Sequence, residues 1–365
     1  MMKVCFFIDD ITSQGGVERV TSLLCHQFMK NSSEDDVQVE IVSQFRSYEP
    51  PSYDFTGIQI SYLTEKKYDQ YKPHSPMRVE QFLTTVGKVR KFFKTHNYDI
   101  IIGQSFPNVI VLFLAGVDMK KVMAVEHTYY GYYGNLFKGT RQLIYRKCRK
   151  VVVLTNNDKQ CFDKELPNGQ TIVIPNPVVL TDKYQSSLNK KQIISAGRLQ
   201  QEKGYDTLIE VFARVHQQYP DWVLNIYGEG NYRPQLEQQI RDNHLVGVVN
   251  LCGRTKEIYQ KMREAAFYVM SSRFEGFGMV LVEAQSQGLP VISFDCPNGP
   301  ADIINNKIDG LLVENQNKEQ LYEAICFLIE HPDKRNEMGK HAISNVDKYD
   351  VVEICKQWKQ AFGEN

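Results

Sequence analysis

Short β-branched runs alternate with stretches of helical periodicity along nearly the whole chain. Runs at 4–8, 37–42, 100–102, 122–125, 151–154 and 172–174 predict strands in the first half. A second set follows at 192–196, 223–227, 248–251, 266–270 and 291–294. Between them, apolar residues recur at helical spacing over 17–29, 205–219, 233–243 and 318–330. Such alternation implies βαβ units and parallel sheets covered on both faces. Right-handed crossovers then give doubly wound, Rossmann-like domains, whose ligands sit at the carboxyl ends of the strands. The expected fold class is α/β, with two such domains.

A boundary is expected in the stretch 174–191, where Pro175, Asn176 and Pro177 lead into a polar segment before the next buried strand. That divides the chain into 1–175 and 176–345, with a terminal helix over 349–362 that contains Trp358. A length of 365 residues suits two domains of about 150–180 residues each. The stretch 49–72, rich in Tyr, Pro and Lys, reads as an irregular insertion.

Composition narrows the class. Apolar residues make up 42% and charged residues 24%, with zero formal net charge, so there is no global nucleic-acid footprint. Charge is uneven locally: 138–150 carries six basic residues and no acid, and 88–94 adds four more. Each run reads either as a solvated helix face or as a docking surface for an anionic membrane or a phosphorylated acceptor. The eight cysteines are scattered, without a C-x-x-C pair or His partners at metal spacing. Reduced thiols in a cytoplasmic protein follow, and a disulfide frame or zinc site does not. The N-terminal apolar run is too short for a signal peptide and reads as the first strand. The most apolar window, 100–117, is interrupted by Gln104, Pro107 and Asn108, which fits a buried strand, loop and helix rather than a membrane span.

Three glycine-centred turns sit at strand-to-helix junctions. Gly15-Gly16 precedes the helix at 17–29 and lets backbone N–H groups approach a phosphate or a sugar hydroxyl. It lacks a full G-x-G-x-x-G and supports no dinucleotide site. The second turn, SAGRLQQEKG over 195–204, holds Arg198 and Lys203. A guanidinium and an ammonium there could face one diphosphate and neutralise charge as it leaves; the alternative is two solvated loop cations. The third is SSRFEGFGMVLVEAQSQGLPVI, over 271–292. Gly276 and Gly278 permit a tight turn into a helix from Met279, with Glu275 at the loop mouth and Glu283 about one turn in. Two structural acids around a common turn would look the same locally. YGEG (227–230) and CGRT (252–255) follow further strands and would line the same edge, near a nucleobase. In the first half, His127 ends a strand, where it could bond a sugar hydroxyl or a phosphate oxygen, or serve as a satisfied structural histidine.

The combination of GGVE, SAGRLQQEKG, YGEG and SSRFEGFGMVLVEAQSQGLPVISFD resembles the retaining glycosyltransferases of family 4, which have the GT-B fold. The likeness spans nearly the whole chain in order and is strongest over 192–313. It implies two Rossmann-like domains facing a central cleft that holds a nucleotide-sugar donor, expected to be a UDP-sugar. It implies that Glu283 binds the ribose hydroxyls, Glu275 the transferred sugar, and Arg198 and Lys203 the diphosphate. Donor contacts would come from Gly15, Gly16, Gly197, Gly230, Arg254, Gly276 and Phe277, and from amides of Gly278, Met279 and Val280. His127 matches the family's sugar-side histidine. The resemblance also implies no cofactor and no metal, with the two cations taking a metal's role. The terminal helix, 349–365, would cross back onto the acceptor-side first domain. The acceptor would be a growing saccharide, expected to be lipid-linked, in surface-polysaccharide assembly. The basic runs then suggest a cytoplasmic protein peripheral on the inner face of the cell membrane. Rival readings are a nucleotide-sugar-binding or scaffold subunit, a GT-B epimerase or phosphorylase, and a Rossmann dehydrogenase.

Overall fold

The computed structural model describes residues 1–30, 37–65, 76–180 and 183–363. Two compact units divide it: Met1–Pro177 with Val351–Asn365, and Val178–Asp350.

In the first unit, strands β1 (Met2–Ile8), β2 (Val37–Ser43), β3 (Gln59–Tyr62), β4 (Ile100–Gln104), β5 (Val122–Val125), β6 (Lys150–Val153) and β7 (Thr171–Val173) form one sheet. Its order is β3-β2-β1-β4-β5-β6-β7, and every pairing is parallel. Helices cover both faces, so the central strands are apolar at consecutive positions: Val4, Cys5, Phe6 and Phe7 are all buried. The chain returns to this unit at its end. Helix Val351–Gly363 packs on helix Gly16–Lys30, with the rings of Phe362 and Phe28 5.7 Å apart and Arg149 Nη2 donating to Phe362 O at 2.8 Å.

In the second unit, strands β8 (Gln192–Ala196), β9 (Val223–Tyr227), β10 (Val249–Gly253), β11 (Phe267–Met270), β12 (Val291–Phe294) and β13 (Gly310–Val313) form a sheet. The order is β10-β9-β8-β11-β12-β13, again all parallel. Its core joins Leu208, Phe212, Trp222, Phe267 and Ile292. Fully burying one such side chain stabilises by about 1.5–3 kcal/mol.

Two expectations need correction. The stretch 49–72 is not wholly irregular: Gln59–Tyr62 pairs with β2 as the edge strand of the first sheet, while 66–72 lie outside the described residues. The run 138–150 is a solvated face only in part, with Arg146 and Lys147 exposed, and it is not a free basic patch. Arg141 is buried and lies 3.6 Å from the carboxylate of Glu126, and Lys138 pairs with Glu165 at 2.8 Å. Arg146 donates to Glu165 O at 3.0 Å and Lys150 to Gly169 O at 3.1 Å. Most of the charge in this run is spent on groups of its own unit. No helix among the described residues is long and apolar enough to cross a membrane.

Candidate active site

Because all strands of the second sheet are parallel, the loops that follow β8 to β12 leave from a single edge. The strand order reverses between β8 and β11, which is where ligands bind in sheets of this kind. The loops on either side of that point are 197–204 and 271–278, which hold the cations and the first acid singled out above.

Backbone and side-chain bonds fasten these two loops together. Ser271 Oγ donates to Lys203 O at 3.0 Å, and Arg273 N donates to Glu202 O at 2.8 Å. The Arg273 guanidinium grips Asp206 with two bonds, 3.0 and 2.7 Å, and also donates to Gln201 O. So fixed, Lys203 Nζ sits 2.6 Å from Glu275 Oε1, and Ser272 Oγ donates to the same oxygen at 2.6 Å. Ser272, Arg273 and Asp206 were not found from sequence. Ser272 was findable, lying three residues before the acid; the Arg273–Asp206 pair joins positions 67 apart and carried no local signal. Arg273→Gln is expected to cost about 1.5–3 kcal/mol in urea unfolding, with Arg273→Lys intermediate because it keeps one charge-assisted bond.

Arg198 does not share a partner with Lys203. Its exposed guanidinium lies 3.7 Å from Glu202. Gly197 and Gly230 serve backbone packing: Gly197 N donates to Tyr227 O at 2.9 Å, and a Cβ on Gly230 would come within 2.1 Å of Leu199 O. Arg254 follows β10 on the same edge.

Gly278, at φ 92°, caps the helix Met279–Ser286 in a left-handed conformation that favours glycine. The N–H groups of Met279 and Val280 in the first turn have no intrahelical acceptor, which makes that end electropositive. Glu275 and Gly276 lie just before it, and Glu283 is buried on the helix itself, 2% exposed. Phe277 turns inward, its ring 5.5 Å from that of Tyr349, so only its backbone faces the turn. Cys296, after β12, is no nucleophile: burial, with the Glu275 carboxylate adding to it, pushes the thiol up to about 12.

In the first unit the order reverses between β1 and β4. Gly15 and Gly16 follow β1, and nothing lies within 4 Å of where a Cβ on Gly16 would stand. His127 follows β5; its Nε2 bonds the side-chain oxygen of Gln104, and burial pushes the ring down to about 4. Next to it, Glu126 is buried against Arg141 and accepts from Tyr145 Oη at 2.6 Å; burial raises it to about 7 against those two groups. Gln104 and Glu126 were also missed from sequence as site neighbours, since strand order alone brings β4 and β5 side by side.

Comparison with known proteins adds the following. The family described as "Glycosyl transferases group 1" matches residues 180–345, and that described as "Glycosyltransferase Family 4" matches 14–182. An uncharacterised glycosyltransferase of Haemophilus influenzae is 26% identical over 98% of this chain and 99% of its own length. The amylovoran biosynthesis glycosyltransferase AmsD of Erwinia amylovora is 26% identical over 98% and 99%. Among solved structures, Anabaena Alr3699/HepE in complex with UDP and glucose superposes with a TM-score of 0.82 over 100% of both chains, at 19% identity, a likeness of fold.

Proposed function

The chain belongs to the family 4 glycosyltransferases, of GT-B fold, and from that premise we propose a retaining transfer of a hexosyl or N-acetylhexosaminyl group from a UDP-sugar to a growing saccharide of a surface polysaccharide. The observation that carries this reading is the 2.6 Å pairing of Lys203 with Glu275 at the reversal point of the second sheet, directly before an open helix N-terminus. Phosphate oxygens of the donor would take the Lys203 ammonium, the Arg198 guanidinium and the N–H groups of Met279 and Val280. Glu275, released from Lys203, would hold the transferred sugar and stabilise positive charge at its anomeric carbon. Glu283 would accept from the ribose hydroxyls. In the reaction the bond from the anomeric carbon to the diphosphate oxygen breaks and a bond to the acceptor hydroxyl oxygen forms on the same face. The hydroxyl proton passes to the departing phosphate oxygen.

AmsD is named for amylovoran biosynthesis and the HepE structure contains UDP and glucose, which supports a saccharide acceptor and a UDP-linked donor. A lipid-linked acceptor and a peripheral place on the membrane belong to the same proposal. They rest on the exposed Lys91 and Lys94 rather than on 138–150. Incubation with a panel of nucleotide sugars, with and without polyprenyl-diphosphate saccharides, should release UDP from one donor, and proton NMR of the product should report an α or β linkage matching that donor. A chain that binds UDP yet turns over no donor would be a binding or scaffold subunit.

A further inference from the structure

Which nitrogen of His127 carries the proton follows from a count of donors along a buried chain. Thr21, on the helix that opens at Gly16, gives its hydroxyl proton to Val17 O at 2.8 Å. Toward Gln104 Nε2, 3.5 Å away, the Thr21 oxygen can therefore only accept. An amide that turns its NH₂ to Thr21 turns its carbonyl oxygen the other way, and there it meets His127 Nε2. A carbonyl oxygen accepts and never donates, so Nε2 must hold the hydrogen. The main chain at Gln104 is held as well, since its backbone oxygen accepts from Asn108 Nδ2, whose Oδ1 accepts from Gln44 Nε2. Thr21, Gln44, Gln104 and Asn108 are all buried, where a satisfied network resists rearrangement.

We propose that Gln104 is a positioning residue that fixes His127 as its neutral Nε2–H tautomer, so that Nδ1 offers a lone pair to a sugar hydroxyl. The identity of the hydroxyl rests on the function proposed above; the tautomer does not. Charged groups on the neighbouring elements are engaged elsewhere. Glu126 of β5's end faces Tyr145 and Arg141, and Asp158 of helix Asn156–Phe162 accepts from Tyr130 N at 2.8 Å. Nothing on these elements stabilises an imidazolium, in keeping with a ring pushed down by burial alone. A protonated ring would place a hydrogen at Nδ1 and abolish the acceptor.

Long-range proton–nitrogen spectra of the ¹⁵N-labelled chain, with His127 assigned by loss of its signals in His127→Gln, test this without any turnover. The expected result is a protonated Nε2 and a bare Nδ1, unchanged from about pH 5 to 8. A hydrogen on Nδ1, or a midpoint near the ordinary value of about 6.5, would overturn it. Gln104→Glu supplies the second arm. Its carboxylate favours imidazolium and should raise the ring's midpoint into the neutral range. Donor turnover should then fall about tenfold at pH 6 and recover as pH rises past that midpoint. A loss equal at every pH, with the His127 signals unchanged, would mean that Gln104 only packs and would sink the positioning role.

Discussion

Replacing Lys203 with alanine is expected to lower kcat for donor turnover by about 10²–10³-fold while the chain stays folded. The ammonium lies 2.6 Å from Glu275, on a loop fixed by its own backbone bonds, so once a donor displaces Glu275 it would already stand where the proposed leaving diphosphate gathers charge. A preformed cation needs no reorganisation as the bond breaks, which is why its loss falls on kcat more than on KM. Stability should change little. Glu275 keeps the Ser272 hydroxyl at 2.6 Å, and the pair is partly exposed, so the carboxylate is not stranded. Lys203→Arg should recover part of the rate, because charge is kept while the bulkier fork crowds Glu275. Steady-state kinetics with the donor found active, together with urea unfolding, would decide. A kcat within about threefold of wild type in Lys203→Ala would remove this residue from the chemistry.

The parts of the fold that could be read in the sequence are those whose burial is two-sided. Strands such as Val122–Val125 and Val291–Phe294 are buried at every position, and apolar but for Ser293, because helices cover both faces of a parallel sheet, and such runs stand out. Gln59–Tyr62 is an edge strand, partly exposed along its length, so it carries no such run. Gly310–Val313 was passed over too: four residues, two only partly buried, after a polar turn. The candidate chemistry divides the same way. Arg198, Lys203 and Glu275 could be picked out because each lies beside a glycine turn at a strand end, and Glu283 because it lies about one turn into the helix that follows such a turn. Their pairings could not be read. Arg198 goes to Glu202 and Lys203 to Glu275, and the latter partners are 72 residues apart, joined only because β8 and β11 are neighbours. The basic run 138–150 misled for a related reason. Sequence counts charges but does not see that Arg141 turns inward to Glu126, nor that Arg146 and Lys150 bond carbonyls of the segments beside them.

Gly204→Ala is expected to damage stability and turnover together. Gly204 has φ 63°, which costs a non-glycine residue about 1 kcal/mol, and an added Cβ would stand 2.0 Å from Ser271 O. Since that oxygen belongs to backbone, the loops 197–204 and 271–278 must part by about an ångström, loosening the Ser271 to Lys203 and Arg273 to Glu202 bonds together. The expected loss is about 3–5 kcal/mol in urea unfolding. In the fraction still folded, turnover should fall by about 10²-fold, because Lys203 and Glu275 no longer share one geometry. Gly16→Ala makes the contrast. Nothing lies within 4 Å of its Cβ, and Gly16 begins a helix, so stability should hold or rise by up to about 1 kcal/mol. If the Gly15-Gly16 turn meets the donor by its backbone, Gly16→Ala raises KM for the donor with no loss of stability. Unfolding midpoints and KM for the two variants, measured side by side, separate a glycine needed to join two loops from one needed to admit a ligand. A Gly204→Ala chain as stable and as active as wild type would show that the two loops need not touch for catalysis.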